Sequence, residues 1–269
     1  MSIKLVAIDI DGTLLNSQKE ITPAVFEAIQ DAKKAGVKVV IATGRPLSGV
    51  QKILDQLQLT ETGDYVITFN GGLVLDVGSG EIISQETLSY EDYLEIEYLA
   101  RTLDIPMHAS AREGIFTANR NIGKYTVHES ILVDAPIFYR TPEEMREIQI
   151  VKTMLIDEPD KLDKAIPNIP ADFATRFNVG KSAAFYYEIC PKDGNKGTAI
   201  RRLAERLGLS MSETMAIGDQ ENDRPMLEVV GTPVVMENGN PKTKEIAKYI
   251  TKSNDEDGVA HAIREWVLQ

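Results

Sequence analysis

Four short apolar runs, at 5–8, 37–42, 65–69 and 215–217, each stop abruptly at small or charged polar residues, and amphipathic segments separate them. A continuous apolar run such as Leu5-Val6-Ala7-Ile8 suits a strand buried on both faces, which is the signature of a parallel sheet covered by helices. The intervening segments read as those helices. The spacing predicts one over 22–35, with Thr22 as its cap, Pro23 in the first turn and Gly36 as the stop. A second is expected from about Pro46, burying Val50, Ile53, Leu54 and Leu57. The β-α-β-α-β order implies parallel strands joined by right-handed crossovers. At 269 residues the chain has room for one or two domains.

The rhythm breaks after Asn70-Gly71-Gly72. Residues 73–77 and 81–85 flank Gly78-Ser79-Gly80 and read as a hairpin. Helices are expected over 90–103 and from about Asp160, without regular alternation. The βα pattern returns with a helix over 196–207 closed by Gly208. Strands follow at 215–217, 233–236 and 249–251, the last at an edge, and a final helix buries Val259, Ile263 and Val267. The division expected is a core from 1–83 and 188–269, with an α/β domain inserted at 84–187.

In a parallel sheet the four polar strand ends fall on one edge, where open α/β sheets hold ligands. They read Asp9-Ile10-Asp11-Gly12-Thr13, Thr43-Gly44-Arg45, Asn70-Gly71-Gly72 and Gly218-Asp219-Gln220-Glu221-Asn222-Asp223. An Asp-x-Asp alone is an ordinary solvated turn; four such ends together make a site. Phosphoryl transfer suits them. Phosphate-monoester hydrolysis is accelerated by enzymes up to ~10²¹-fold, and a covalent aspartyl-phosphate is one route. A carboxylate attacking a dianion needs a cation, and Mg²⁺ takes carboxylate, phosphate and water oxygens. Asp9 and Asp219 could share that ion. Asp11, two residues on, is placed to protonate a leaving oxygen and later to deprotonate water. Gly12 lets the chain turn away. Thr43 offers a hydroxyl and Gly44 an open N–H to phosphate, and Lys196 opens a helix whose N-terminus favours the same anion.

The same residues resemble the haloacid-dehalogenase-like superfamily, in its Cof-type branch, and look closest to the YidA-like sugar phosphatases. The resemblance runs through residues 8–15, Thr43-Gly44-Arg45-Pro46, Asn70-Gly71, Asn195-Lys196-Gly197 and residues 216–223; Thr117-Ala118-Asn119-Arg120 and residues 125–130 share it. It implies a Rossmann-like core with a C2-type α/β cap inserted between the second and third motifs. It implies Asp9 as nucleophile and Asp11 as general acid and base. Mg²⁺ would be held by Asp9, Asp219 and the backbone carbonyl of Asp11, with Asp223 in support. Phosphate would meet Thr43, Gly44, Lys196, Asn222 and the N–H of Ile10. Arg45, Arg120, His128 and Glu129 are candidates for contact with substrate or cap.

Composition narrows the partners. A net charge of −12 repels nucleic acid and anionic membrane, so small phosphorylated metabolites are expected instead. No stretch approaches the ~18 apolar residues of a membrane span, and the N-terminus lacks a signal-peptide pattern. A cytoplasmic monomer or homodimer is expected. Cys190, the single cysteine, reads as a buried inert thiol. His108, His128 and His261 lack the spacing of a zinc site, and neither a dinucleotide fingerprint nor a Walker motif occurs. A phosphomutase using the same aspartate is the alternative function, and a non-catalytic phospho-aspartate switch is a third.

Overall fold

The computed structural model describes residues 2–269. The chain opens with β1 (Leu5–Ile8), α1 (Pro23–Lys34), β2 (Lys38–Ala42), α2 (Gln51–Gln56), β3 (Tyr65–Thr68), β4 (Leu73–Asp76) and β5 (Ile82–Gln85). It continues through α3 (Tyr90–Thr102), β6 (Met107–Ala111), β7 (Gly114–Thr117), α4 (Lys124–Val133), β8 (Ile137–Tyr139) and β9 (Lys152–Ile156). Next come α5 (Pro159–Ala165), α6 (Phe173–Arg176), β10 (Phe177–Ala183) and β11 (Tyr186–Pro191). The last third holds α7 (Lys196–Arg206), β12 (Thr214–Gly218), α8 (Arg224–Val229), β13 (Thr232–Val235), α9 (Pro241–Lys244), β14 (Tyr249–Ile250) and α10 (Gly258–Trp266). Two compact units result. One takes the chain up to Gly44, Gln51–Ser84 and Asn195–Gln269; the other takes Arg45–Val50 and Gln85–Gly194.

The first unit is built on a sheet in the order β14-β13-β12-β1-β2-β3-β4-β5. From β14 to β3 the strands are parallel, and β4 runs antiparallel to β3. All of β1 is buried. Leu5 and Ala7 meet Ala199, Ile200 and Leu203 of α7 and Met226 and Leu227 of α8, while α1 packs with α10. Each fully buried Leu, Ile or Val contributes about 1.5–3 kcal/mol, so the central strand anchors this unit. The α1 signals act as expected: the Thr22 hydroxyl accepts the Val25 N–H, Pro23 opens the helix, and Gly36 takes φ +82° after it.

The second unit carries a sheet in the order β10-β11-β9-β6-β7-β8, antiparallel except for β7 beside β8. Side chains alternate across it. Thus Met107, Ala109, Leu155 and Ile189 join Tyr93, Ile96 and Leu99 of α3 in one apolar core. The alternate residues Met154, Ile156 and Tyr186 make a smaller cluster with Tyr125 and Phe185. A Ser89–Asp92 capping box starts α3.

Three expectations change. The helix expected from Pro46 begins at Gln51, because Gly49 and Val50 turn back onto the carbonyls of Pro46 and Leu47. The boundary at 187 falls inside β11, which pairs with β9 and β10 and runs on to Pro191; residues up to Gly194 group with the second unit, as do Arg45–Val50. Val267 lies beyond the end of α10 and is only half-buried.

Candidate functional site

Strands β12, β1, β2 and β3 are consecutive parallel neighbours, so their C-terminal ends lie side by side. The ladders run one step past the strands. Asp9 N–H donates to the Ile217 carbonyl, Thr43 N–H to Ile67, and Asn70 N–H to Thr43. These bonds fix the backbone from which each polar side chain springs. After Asp9 the chain folds back at once, with the N–H groups of Leu14 and Leu15 donating to Asp9 and Ile10. Gly12 sits at φ +85°, and a Cβ there would lie 2.5 Å from Oδ2 of Asp219. Only glycine lets the β1 turn and the Asp219 carboxylate come that close.

After β3, Phe69 and Asn70 both adopt left-handed conformations, with φ of 52° and 55°. Such conformations cost about 1–3 kcal/mol each and collect at functional sites. Gly71 follows at φ +102°, and a Cβ there would lie 2.2 Å from the Asn195 carbonyl oxygen. This loop therefore rests on the N-terminus of α7, which Asn195 caps by accepting the Thr198 N–H.

The first residue of α7 is Lys196, and it is wholly buried. Its Nζ lies 2.5 Å from Oδ1 of Asp9 and 2.6 Å from Oδ1 of Asp223. The other oxygen of Asp223 accepts the N–H groups of Asp219 and Gln220, at 2.9 and 3.0 Å. Both Asp223 oxygens are thus committed, holding the ammonium on one side and the β12 turn on the other. Asp219 accepts from the Thr13 hydroxyl and the Gln220 amide, both at 3.0 Å. Carboxylate oxygens of Asp9, Asp219 and Asp223 lie within 4.8 Å of one another, all three residues buried.

Three buried acids share one buried base, and the titration follows. Burial, opposed by Lys196 and reinforced by Asp223 and Asp219, pushes Asp9 up to about 7. Burial and Asp223 also raise Asp219, against the hydrogen bonds from Thr13 and Gln220. Burial works against the Lys196 ammonium, but Asp223 and Asp9 outweigh it and hold its pKa above the ordinary lysine value. A hard divalent cation fits this surplus of buried carboxylate oxygen.

The rest of the expected set divides in two. Thr43 is buried beside the Asn70 backbone, Gly44 lies against the Asn70 amide, and Asn222 Nδ2 is 3.4 Å from Asn70 Oδ1. Ile10 is fully buried in the β1 turn. Asp11 is exposed, with Nζ of Lys19 at 3.3 Å, a partner unmarked in sequence because its loop position alone brings it back. The other candidates fall in the second unit. There Arg45 donates to the Gly49 carbonyl, Arg120 is exposed, and the rings of His128 and Phe185 meet edge to face with centroids 5.9 Å apart. Glu129, a candidate for contact with substrate or cap, is buried on the inward face of α4, 3.9 Å from Lys152. Among the described residues, no helix is long and apolar enough to cross a membrane.

Comparison with known proteins gives the family. The family of haloacid dehalogenase-like hydrolases matches residues 6–263. A Streptococcus pyogenes serotype M6 protein, named no more finely than as a phosphatase, is 63% identical over 268 residues, covering 100% of both chains. A Bacillus subtilis 5-amino-6-(5-phospho-D-ribitylamino)uracil phosphatase is 31% identical, covering 100% of this chain and 97% of its own. Among solved structures, a haloacid dehalogenase-like hydrolase from Bacteroides thetaiotaomicron aligns with a TM-score of 0.85 at 30% identity, over 97% of this chain and 98% of that one. The chain therefore belongs to the haloacid dehalogenase-like hydrolases, in their Cof-type branch, and is a phosphatase.

Proposed function

We propose that this phosphatase is magnesium-dependent, hydrolyses small phosphate monoesters, sugar phosphates among them, and carries the phosphoryl group transiently on Asp9. The observation that supports this most is the buried cluster of Asp9, Asp219, Asp223 and Lys196 at the strand ends. A magnesium ion held by Asp9, Asp219 and the Asp11 backbone carbonyl would supply positive charge against the approaching phosphate. Lys196 adds a fixed ammonium, and Thr43, Gly44, Asn222 and the Ile10 N–H offer donors to the phosphoryl oxygens. Asp223 holds Lys196 and the β12 turn in register.

In the first half-reaction an Asp9 carboxylate oxygen forms a bond to phosphorus, the bond from phosphorus to the ester oxygen breaks, and that oxygen takes the proton of Asp11. In the second, Asp11 takes a proton from water, the hydroxide bonds to phosphorus, and the phosphorus bond to Asp9 breaks. Inorganic phosphate leaves and both aspartates are restored. Every residue given a chemical role here belongs to the first unit. Selection among substrates is left to the second, with exposed Arg120 and His128 as its candidates. The ribityl phosphate in the name of the Bacillus subtilis relative supports polyol and sugar phosphates as the class.

The test is a panel of hexose phosphates, polyol phosphates, nucleotides and pyridoxal phosphate, assayed for inorganic phosphate with magnesium and with excess chelator. Release that needs magnesium is expected, fastest on sugar or polyol phosphates. Full activity in chelator would rule out the metal. An isomeric sugar phosphate formed without inorganic phosphate would make the chain a mutase.

A further inference from the structure

We propose that Asn238 and Asn254 are positioning residues for proton transfer at the leaving oxygen, because together they hold the turn that carries Asp11. This rests on the reading of Asp11 as acid and base given above. The turn closes on itself through a bridge between Asp11 and Leu15. Two of its carbonyls are taken up by side chains from far along the chain. The Gly12 carbonyl accepts from Nδ2 of Asn238 at 2.8 Å, and the Leu15 carbonyl accepts from Nδ2 of Asn254 at 2.9 Å. The two asparagines are themselves joined, since the Asn254 N–H donates to Oδ1 of Asn238 at 2.9 Å. Three hydrogen bonds thus run from Gly12 through Asn238 and Asn254 to Leu15, spanning the turn from one end to the other. The same distant loop grips the following segment, where Asp255 accepts the Ser17 N–H at 2.8 Å.

The need for such a clamp lies in Gly12. Its positive φ admits the close approach to Asp219, and a glycine has the widest backbone freedom of any residue. A peptide free to rotate beside Asp11 would spread that carboxyl over several positions, and a misplacement of about 1 Å costs on the order of 10²-fold in rate. Each asparagine supplies an amide donor to a carbonyl of the turn. Asn238 also supplies the acceptor that Asn254 needs.

A clamp that only holds the fold would affect all substrates alike; one that positions Asp11 would not. Asn238→Ala and Asn254→Ala break the chain of bonds at different links. With magnesium saturating, kcat/KM is measured on p-nitrophenyl phosphate, whose leaving group needs no proton, and on the alkyl phosphate that the unsubstituted chain hydrolyses fastest. We expect kcat/KM on the alkyl phosphate to fall about tenfold in Asn254→Ala, the scale of one lost hydrogen bond, and at least as far in Asn238→Ala, which loses two. On p-nitrophenyl phosphate the fall should stay within about twofold by the same scale. Asp11→Asn serves as reference and should show the same selectivity with a larger loss. Selective loss in Asp11→Asn, with equal loss or none in both asparagine variants, overturns the positioning role and leaves Asp11 standing. Unselective loss in Asp11→Asn overturns both.

Discussion

Each unit of the molecule buries a lysine between two carboxylates, and the two clusters have opposite characters. In the first unit Lys196 lies between Asp9 and Asp223 at the ends of parallel strands. In the second Lys152 lies within β9, 3.0 Å from Glu188 and 3.9 Å from Glu129. In both, burial works against the ammonium and the carboxylates outweigh it, so the proton stays on. Their surroundings differ. Beside Lys196 stands a third buried carboxylate, Asp219, and Asp9 is pushed up to about 7. Beside Lys152 the further neighbours are neutral. Burial and Lys152 depress His108 to about 3, and burial pushes the Cys190 thiol up to about 12. Glu188 is partly open to solvent. One cluster nearly balances itself, while the other holds two more buried acids than bases. A surplus of that kind is expensive to keep without a cation, and it is what separates a reactive cluster from a structural one.

Removing Asp9 should separate the two clusters most widely. Asp9→Asn should lower turnover by on the order of 10⁴-fold or more, as loss of a nucleophile does, while the thermal midpoint holds or rises because one surplus buried charge has gone. Turnover within tenfold of the original would place the chemistry elsewhere. The next largest effect falls on the lysines. Lys196→Met and Lys152→Met each strand buried carboxylates and should each cost about 3–5 kcal/mol. Magnesium should then tell them apart. An ion bound to the native cluster adds about 2.7 kcal/mol at a hundred times its dissociation constant, and Asp9 and Asp219 remain in Lys196→Met. Recovery of stability is expected there and not in Lys152→Met. Trp266, the single tryptophan, reports the first unit, and hydrogen exchange in β9 reports the second. Equal recovery in both variants would erase the distinction.

Much of the first unit was legible in the sequence, and nothing of the Lys152 cluster was. The alternation of apolar runs with amphipathic segments carries the parallel sheet, and Thr22, Pro23 and Gly36 mark the ends of α1 by local chemistry alone. The polar strand ends were visible because a buried run that stops at Asp9 or Asp219 breaks pattern within one residue. The depth of Lys196 was not. A lysine opening a helix reads as solvent-exposed, and it is buried because glycines admit neighbouring backbone: a Cβ on Gly197 would lie 2.1 Å from the Pro225 carbonyl oxygen. Asn238 was invisible for another reason. Its partner Gly12 lies 226 residues away, so no local period or motif connects them. The burial of Glu129 was not legible either, because one helical face of α4 is inward and its weak amphipathic pattern does not announce which.

The smallest effect concerns the neutral lining of the Lys152 cluster. His108 lies in β6 opposite Met154 of β9, wholly buried, with Nδ1 3.4 Å from the Thr126 hydroxyl of α4 and Nε2 without a hydrogen-bond partner among the described residues. Its folded pKa of about 3 lies below the ordinary 6.5, so between those values the unfolded chain binds the proton that the folded chain refuses. Stability is therefore full above about pH 6.5 and falls as the pH drops toward 3. From pH 7 to pH 5 the cost to the second unit is about 2 kcal/mol, the logarithmic consequence of that gap. His108→Leu should remove this slope and flatten the acid side of the profile, read by hydrogen exchange of the β6 and β9 amides. The first unit, followed through Trp266, should keep its own profile unchanged. An undiminished slope in the second unit would mean that histidine is not what the folded state keeps neutral. The proton taken up on unfolding would then belong to another group of the second unit, and the neutral lining of the Lys152 cluster would carry no pH dependence of its own.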